Sequence, residues 1–578
     1  MVVQMERGPA TWTGGWQETG LPCLLGAAVN ILGFGFQYGT GNHAFELAML
    51  NWLRDPTLYP NDRIREGYIR FPTVFWRAVA LVPSHVSTEA VLFVVFLATK
   101  IMFFYGLVRL ARLATPESHF VRGIVVLIAL SPILNIRTPF GYSPVLDPIQ
   151  TQTPLAIAVM VCAGALLAEG RWVRSAILAA ACVYLNAIFV IFMLFPFGVL
   201  AVSDFRRYKK RVILSALAGA TTIVPWLLGN RALIGAKYPP EYVPALLLFF
   251  PRHLVLSTHN PIDLLYGPAF LCVAFAAVML ARKKCVVINR RLEIMACSFA
   301  IPVALGAVAG QHHLTPLIAT LQLMRADVFL FLFAALLLAA SIFQLAKTGV
   351  LPYGGAILTI SAVIFVLPLT PMRLFLLLLG IGMTYWNLCV IAICSSRIHL
   401  RDNVAPGGRA ERLSHETPLV GVVVIFAAMA IAVSADHRAL DVFTSAPRQG
   451  DWFDVQRWAR VSTSRDSVFL VPPNTQGFRI ESLRSSWGEW KDGTALYWDA
   501  QFAGTYVHRL NELGVYKAPV KPADSDAMGE VYRLQSHEHL LSIARENNLQ
   551  YIVQFSGATS DTKPVYSNRS FSVYPVSP

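Results

Sequence analysis

The sequence predicts a polytopic α-helical membrane protein of about 13 transmembrane helices, followed by a C-terminal soluble α/β domain outside the cytoplasm. Three observations carry that prediction. Of 578 residues, 55% are hydrophobic and only 14% charged, with a mean hydropathy of +0.52, which is more apolar surface than a water-soluble core can use. Apolar runs of spanning length recur, and the strongly basic loops between them all fall on one side if the first run enters from the cytoplasm. Charge is also divided unevenly. Residues 436–578 hold 15 Lys and Arg against 16 Asp and Glu, a balance of −1, so the whole +14 excess lies in the apolar part. That positive charge marks loop topology, and it excludes a nucleic-acid footprint.

The first apolar run, Leu21 to about Tyr38, has no small-residue cleavage site after it and reads as an uncleaved span with its N-terminus inside. A first outer loop, 39–87, follows. Within it GNHAFELAMLNWLR has helical spacing, with Phe45, Met49, Trp52 and Leu53 on one stripe and Asn42, His43 and Glu46 on another. Asp55-Pro56 stops that helix. Tyr59-Pro60-Asn61-Asp62 is turn chemistry that lifts Asp62 onto a loop tip. An interfacial stretch, Phe71–Val82, leads to span two (Thr88–Leu110), whose RLAR ending marks the cytoplasmic side.

Span three (Val121–Leu134) exits into NIRTPFGYSPVLDPIQTQ, which holds Arg137 and Asp147, and span four (Pro154–Ala168) lands on EGRWVR. Residues 172–202 are apolar with basic flanks at both ends. Two short helices turning near Tyr184–Asn186 keep both flanks inside, whereas one helix would separate them. Span seven (Val212–Leu228) opens into a proline-broken apolar outer loop around 239–256, too interrupted to cross and expected to lie in the interface. Spans eight (Ile262–Leu280), nine (Leu292–Ala309) and ten (Arg325–Leu345) follow. Spans eleven (Leu351–Leu369), twelve (Leu374–Cys394) and thirteen (Leu419–Val433), with the basic loop RIHLRDNVAPGGRAER, complete a membrane domain of residues 1–435.

Residues 436–578 change character, with short apolar runs, frequent turns and no cysteine. SVFLVPP (467–473), YIVQF (551–555) and 570–576 read as strands, and 494–513 and 538–547 as helices, an alternation that implies a small α/β fold. All eight cysteines lie at or before residue 394, in apolar segments or one basic loop, so no disulfide framework is expected.

With this layout the chain resembles the type C glycosyltransferases, polytopic enzymes that use polyprenyl-phosphate sugars. The resemblance rests on an acidic first outer loop, many short spans and an outer C-terminal domain after an odd number of spans. Two stretches, TPLAIAVMVCAGALLAEGRW and SVFLVPPNTQGFRIESLR, resemble uncharacterised bacterial members. The span count and outer domain look most like the oligosaccharyltransferase branch, but its WWD-type motif is missing. SSWGEWKD (485–492) is a loose echo, and transfer of a single sugar fits better than en bloc transfer.

The resemblance implies an inverting hexosyl or pentosyl transferase of the bacterial cytoplasmic membrane. Its partners would be a lipid-linked donor, a glycan, lipid or protein acceptor, and membrane lipids, with no nucleic acid and no cofactor; a divalent metal stays open. It also implies a catalytic acid in the first outer loop, where Asp62, Glu46 and Asp55 are the matching carboxylates. Asp62 is preferred because Asp55 serves as a helix stop. Arg325, Arg252 with His253, and His312 with His313 are candidate contacts for the departing phosphate, and His43 for substrate. A transporter or flippase, or a non-catalytic envelope scaffold, is the competing class. The scarcity of charge inside the spans weighs against transport.

Overall fold

The computed structural model describes residues 15–231, 237–283, 289–347, 443–445, 450–515, 525–557 and 561–576. Spans eleven to thirteen and their basic loop lie outside the described residues.

The first helix, α1 (Trp16–Phe34), starts and stops earlier than the apolar run suggests. Gly35, at φ 71°, ends it in a conformation that side chains with a Cβ resist. The expected helical tail 36–38 is instead strand β1 (Phe36–Tyr38), paired in parallel with β2 (Phe443–Ser445). The first outer loop then folds as α2 (His43–Arg54), α3 (Ile64–Arg70) and α4 (Val74–Ala80). Asp55 closes α2 in extended geometry, as the Asp-Pro pair requires.

Span two is α5 (Thr88–Ala114), capped by Ser87. Span three is α6 (Ser118–Leu130), with a one-turn α7 (Pro132–Asn135) beyond a break at Ser131. α8 (Gln152–Ala168) and α9 (Trp172–Ala181) follow. A 3-10 turn at Cys182–Tyr184 and the cap of Asn186 on the Ile188 amide then start α10 (Ala187–Gly229), so 172–202 is a hairpin. α10 itself reverses at Tyr208, the one residue inside it with non-helical angles. Trp172 packs on both Phe197 and Tyr208, while Tyr184 donates to the Thr222 carbonyl, so α9 lies between the two halves.

The helices Pro261–Lys283, Arg290–His312 and Asp327–Lys347 complete the described bundle. Among the described residues five helices are long and apolar enough to cross a membrane: Thr88–Ala114, Tyr208–Gly229, Pro261–Lys283, Arg290–His312 and Pro316–Leu345. Four more apolar helices are shorter.

The basic loops collect at one end. Arg109 pairs with Glu169, Arg112 with Glu18, Lys347 with Glu117, and Arg291 reaches the Ala168 carbonyl and Tyr208. At the other end the first outer loop, residues 237–260 and the C-terminal domain share one apolar core, in which Phe45, Tyr59, Tyr68 and Trp76 meet Tyr242, Leu246, Trp490 and Tyr506.

The C-terminal domain carries a five-stranded sheet in the order β4 (Ser485–Trp487), β3 (Val468–Leu470), β5 (Tyr551–Phe555), β7 (Phe571–Pro575), β6 (Tyr566–Ser567). β3 is parallel to both neighbours, and β7 is antiparallel. Helices Asp451–Ser462 and His537–Glu546 pack on it, the second matching the expected 538–547. The expected helix 494–513 is α-helical only over Ala503–Glu512. Its first part is a 3-10 segment, Trp490–Tyr497, that packs on Phe249 at the end of the helix Tyr242–Phe249. Gly493 makes that possible, because a Cβ there would stand 2.5 Å from the Phe249 ring.

Candidate active site

The turn Gly39-Thr40-Gly41-Asn42 aims the start of α2 at the loop that follows α7. The Gly39 amide donates to His43 Nδ1 at 3.0 Å, so the proton sits on Nε2, which donates to the Gln150 carbonyl at 2.8 Å. Burial pushes His43 down to about 4, so the ring is neutral with both nitrogens engaged. His43 therefore positions residue 150 and offers no free nitrogen to a substrate.

One turn on, Glu46 is 3% exposed. Its Oε1 accepts from Gln152 Nε2 at 2.8 Å, and Gln152 Oε1 in turn accepts from Trp76 Nε1 at 2.7 Å. The other carboxylate oxygen, Oε2, has no hydrogen-bond partner. Burial pushes Glu46 up to about 8; the Gln152 bond and the Lys491 charge pull the other way.

Lys491 comes from the C-terminal domain. It donates to Asn42 Oδ1 at 2.9 Å and lies beside the Phe249 and Trp490 rings. Burial pushes it down to about 8, while Glu46 and Asp147 hold it up. Asp147 accepts from the Ile149 amide through Oδ1, and its carbonyl accepts from Lys100 Nζ at 3.1 Å. Glu46, Asp147 and Lys491 thus form one electrostatic group drawn from three parts of the chain.

Asp62 is placed differently. It is 5% exposed, not at a free loop tip. Its Oδ2 accepts from Arg479 Nε at 2.6 Å and from the Ser486 amide at 3.2 Å, and its Oδ1 accepts from the Ile64 amide. Arg479 also makes a two-pronged contact with Asp492, at 2.7 and 3.0 Å, and reaches Glu489 and the Ser486 carbonyl. These carboxylates hold the guanidinium well above its ordinary range despite burial. Three of the roughly four acceptor sites of this carboxylate are thus taken by protein donors, and its Oδ2 ties the first loop to the C-terminal domain. Asp55 is an exposed partner of Arg465 and Thr57 at the helix stop; its pKa is lowered chiefly by the Thr57 hydroxyl.

Arg325 lies on the 3-10 turn Leu323–Ala326, just before the helix that starts at Asp327. Its Nε donates to Ser143 Oγ at 3.0 Å and its Nη1 to Gln322 Oε1 at 2.9 Å. Arg252 donates to Tyr142 Oη at 2.6 Å, and His253 Nδ1 meets the Gly141 carbonyl at 2.6 Å. Burial and the charge of Arg325 keep His253 well below its usual value. The loop after α7 therefore collects Arg252, His253 and Arg325. Lys491 is within electrostatic reach of His253, which links this group to Glu46. His312 and His313 are exposed at the end of their helix.

Among the described residues no three His, Cys, Asp or Glu side chains are grouped to hold a metal ion. Sequence reasoning missed Lys491, Asp147 and Gln152. The lysine between Trp490 and Asp492, in a run already set apart by its tryptophans, was the available signal.

Comparison with known proteins adds the following. A family model described as a domain of unknown function, DUF6798, matches residues 450–513, the segment that carries Arg479, Glu489, Lys491 and Asp492. No curated protein matches the chain. Among solved structures, ArnT from Cupriavidus metallidurans bound to undecaprenyl phosphate is 10% identical with a TM-score of 0.44, over 98% of this chain and 99% of that one. The same protein in the apo state is 12% identical with a TM-score of 0.42, over 97% and 98%. The archaeal oligosaccharyltransferase AglB from Archaeoglobus fulgidus, in complex with an inhibitory peptide and a dolichol-phosphate, is 12% identical with a TM-score of 0.44, over 93% and 69%.

Proposed function

We propose that this chain is an integral membrane glycosyltransferase that moves one sugar from a polyprenyl-phosphate carrier to an envelope acceptor, with Glu46 as general base. The observation that carries the reading is the unpartnered Oε2 of Glu46, buried beside Lys491 and Asp147 at the end of the bundle where the C-terminal domain docks. A carboxyl at about 8 is half-ionised near pH 8 and roughly one-tenth ionised at pH 7, close enough to the working pH to accept a proton effectively. Ionised Glu46 takes the acceptor hydroxyl proton as the acceptor oxygen bonds to the anomeric carbon. The bond from that carbon to the carrier phosphate breaks with its electron pair, and inversion results. Negative charge grows on the phosphate, and Arg325 faces it. The site would lie on the outer face of the bacterial cytoplasmic membrane, with the basic end of the bundle in the cytoplasm.

The test is transfer from a panel of polyprenyl-phosphate sugars by purified protein and by Glu46→Gln. Transfer by the wild type that Glu46→Gln abolishes supports the reading. A wild type inactive with every donor and acceptor offered, while moving the carrier between leaflets, overturns it. That second outcome has its own observation: Lys100 is buried in the middle of α5, and an ionisable group inside a span is a usual mark of transport.

A further inference from the structure

We propose that Gly141-Tyr142-Ser143 is the node of a two-phosphate site, so that the carrier is linked to its sugar through a diphosphate; this rests on the glycosyltransferase reading above. Arg137 and Arg252 both donate to Tyr142 Oη, and each guanidinium carbon lies 4.6 Å from the centre of the Tyr142 ring. Two like charges are therefore gathered on one phenol. The next residue, Ser143, accepts from Arg325. The preceding one, Gly141, is pressed onto the Arg325 turn, where a Cβ would stand 2.5 Å from Asp327 Oδ1 and 2.6 Å from Arg325 Cα. Three guanidiniums thus converge on two consecutive residues, Tyr142 and Ser143, from the loop after α7, the 3-10 turn Pro251–His253 and the turn before Asp327.

The nearby carboxylates neutralise one of them: Asp263 pairs with Arg137 at 3.2 Å. Asp327 is taken up by the Phe140 and Gly141 amides and the Thr138 hydroxyl. Among the described residues no carboxylate oxygen lies within 4.0 Å of Arg252 or Arg325. A second observation points to an absent anion. Gln322 is 1% exposed and its Oε1 accepts from Arg325, yet Nε2 of the same amide has no partner. A buried donor beside a cation without a carboxylate partner fits a phosphate oxygen. One phosphate on Arg325 and Gln322 would leave Arg252 without a counter-charge, and a second, covalently joined phosphate answers it. The apolar helix Tyr242–Phe249, just before Arg252, offers the lipid a path away from the node.

The experiment measures binding of undecaprenyl phosphate, undecaprenyl diphosphate and inorganic pyrophosphate to the purified full-length protein. We expect the lipid diphosphate to bind roughly tenfold or more tighter than the monophosphate, as an added charge-assisted contact implies. Arg252→Gln should cost the diphosphate more than the monophosphate, so the preference collapses, and Arg252→Lys should restore part of it. Arg325→Gln should weaken both lipids. Equal binding of the two lipids, or a preference that survives both Arg252→Gln and Arg137→Gln, overturns the two-phosphate site. Pyrophosphate binding as tightly as the lipid diphosphate overturns the lipid-carrier assignment. If neither lipid binds, the glycosyltransferase reading fails first, which separates the two claims.

Discussion

The first outer loop presents two buried carboxylates to the C-terminal domain, and each meets a cation there. Asp62 meets Arg479; Glu46 lies near Lys491. At the first position every oxygen is matched: backbone amides and a five-donor guanidinium surround Asp62, and Arg479 is matched in turn by Asp492. At the second, one carboxylate oxygen is left over, and Lys491 bonds to Asn42 instead. Matched charge holds two pieces of protein together, whereas unmatched charge in a buried place is costly unless something else completes it. On the proposed function the difference separates a joint from a working group, although both began as acidic residues of one loop.

The largest expected effect sharpens that contrast. Glu46→Gln should lower sugar transfer by roughly a hundredfold to ten-thousandfold, the usual loss for a general base, while the protein stays folded. Asp62→Asn should do the reverse. Breaking a buried ion pair costs about 3–5 kcal/mol, so thermal unfolding should begin earlier and the C-terminal domain should become easier to proteolyse, while the fraction still docked keeps turnover. If Asp62→Asn abolishes transfer in protein of unchanged stability, the two roles are exchanged.

Lys491→Met probes the link between the domains more gently. The lysine charge lowers the Glu46 pKa, so its loss moves that pKa upward from about 8. The rise of turnover with pH should shift to higher pH, and turnover at pH 7 should fall roughly threefold to tenfold. A profile unchanged in position would remove Lys491 from the site.

Stability against pH gives a smaller signal. Glu46 is raised from 4.5 to about 8 on folding, so the folded protein binds this proton more tightly than the unfolded chain. Its contribution is full below pH 4.5 and is lost as pH rises through 8. Glu46→Gln should flatten that part of the stability curve, and an identical slope in the variant would contradict the burial argument. Smallest of all is Asp55→Ala. The Asp55–Arg465 pair is exposed, and such pairs contribute about 0–1 kcal/mol, so neither melting nor transfer should move much.

Helix positions were legible in the sequence because apolar run length and proline placement act locally: Asp55-Pro56 ended α2, and the paired basic flanks marked the turn between α9 and α10. The surroundings of Asp62 were not, because they are set by Arg479, a residue far away in sequence whose side chain arrives only through tertiary packing. Turn chemistry gave Asp62 a loop, but it could not say what would cover that loop. Arg325 was legible as a cation at the mouth of a span, yet its neighbours Tyr142 and Gln322 were not. Tyr142 and Gln322 have positive φ, at 50° and 45°, which neither residue type announces.

The pairing of β1 with β2 bears on how the molecule is made. The two strands are separated by about 400 residues, so at roughly 5–20 residues per second the ribosome takes about 20–80 s to supply the second after the first. Through that interval α2 has been synthesised, but neither Lys491 nor Arg479 exists, and the part of the first loop that the C-terminal domain buries has no cover. A nascent chain halted before residue 443 would carry the helices and lack a site. Biogenesis therefore ends with the assembly of this end of the bundle, and any factor that shields the first loop would have to let go only after the C-terminal domain has emerged.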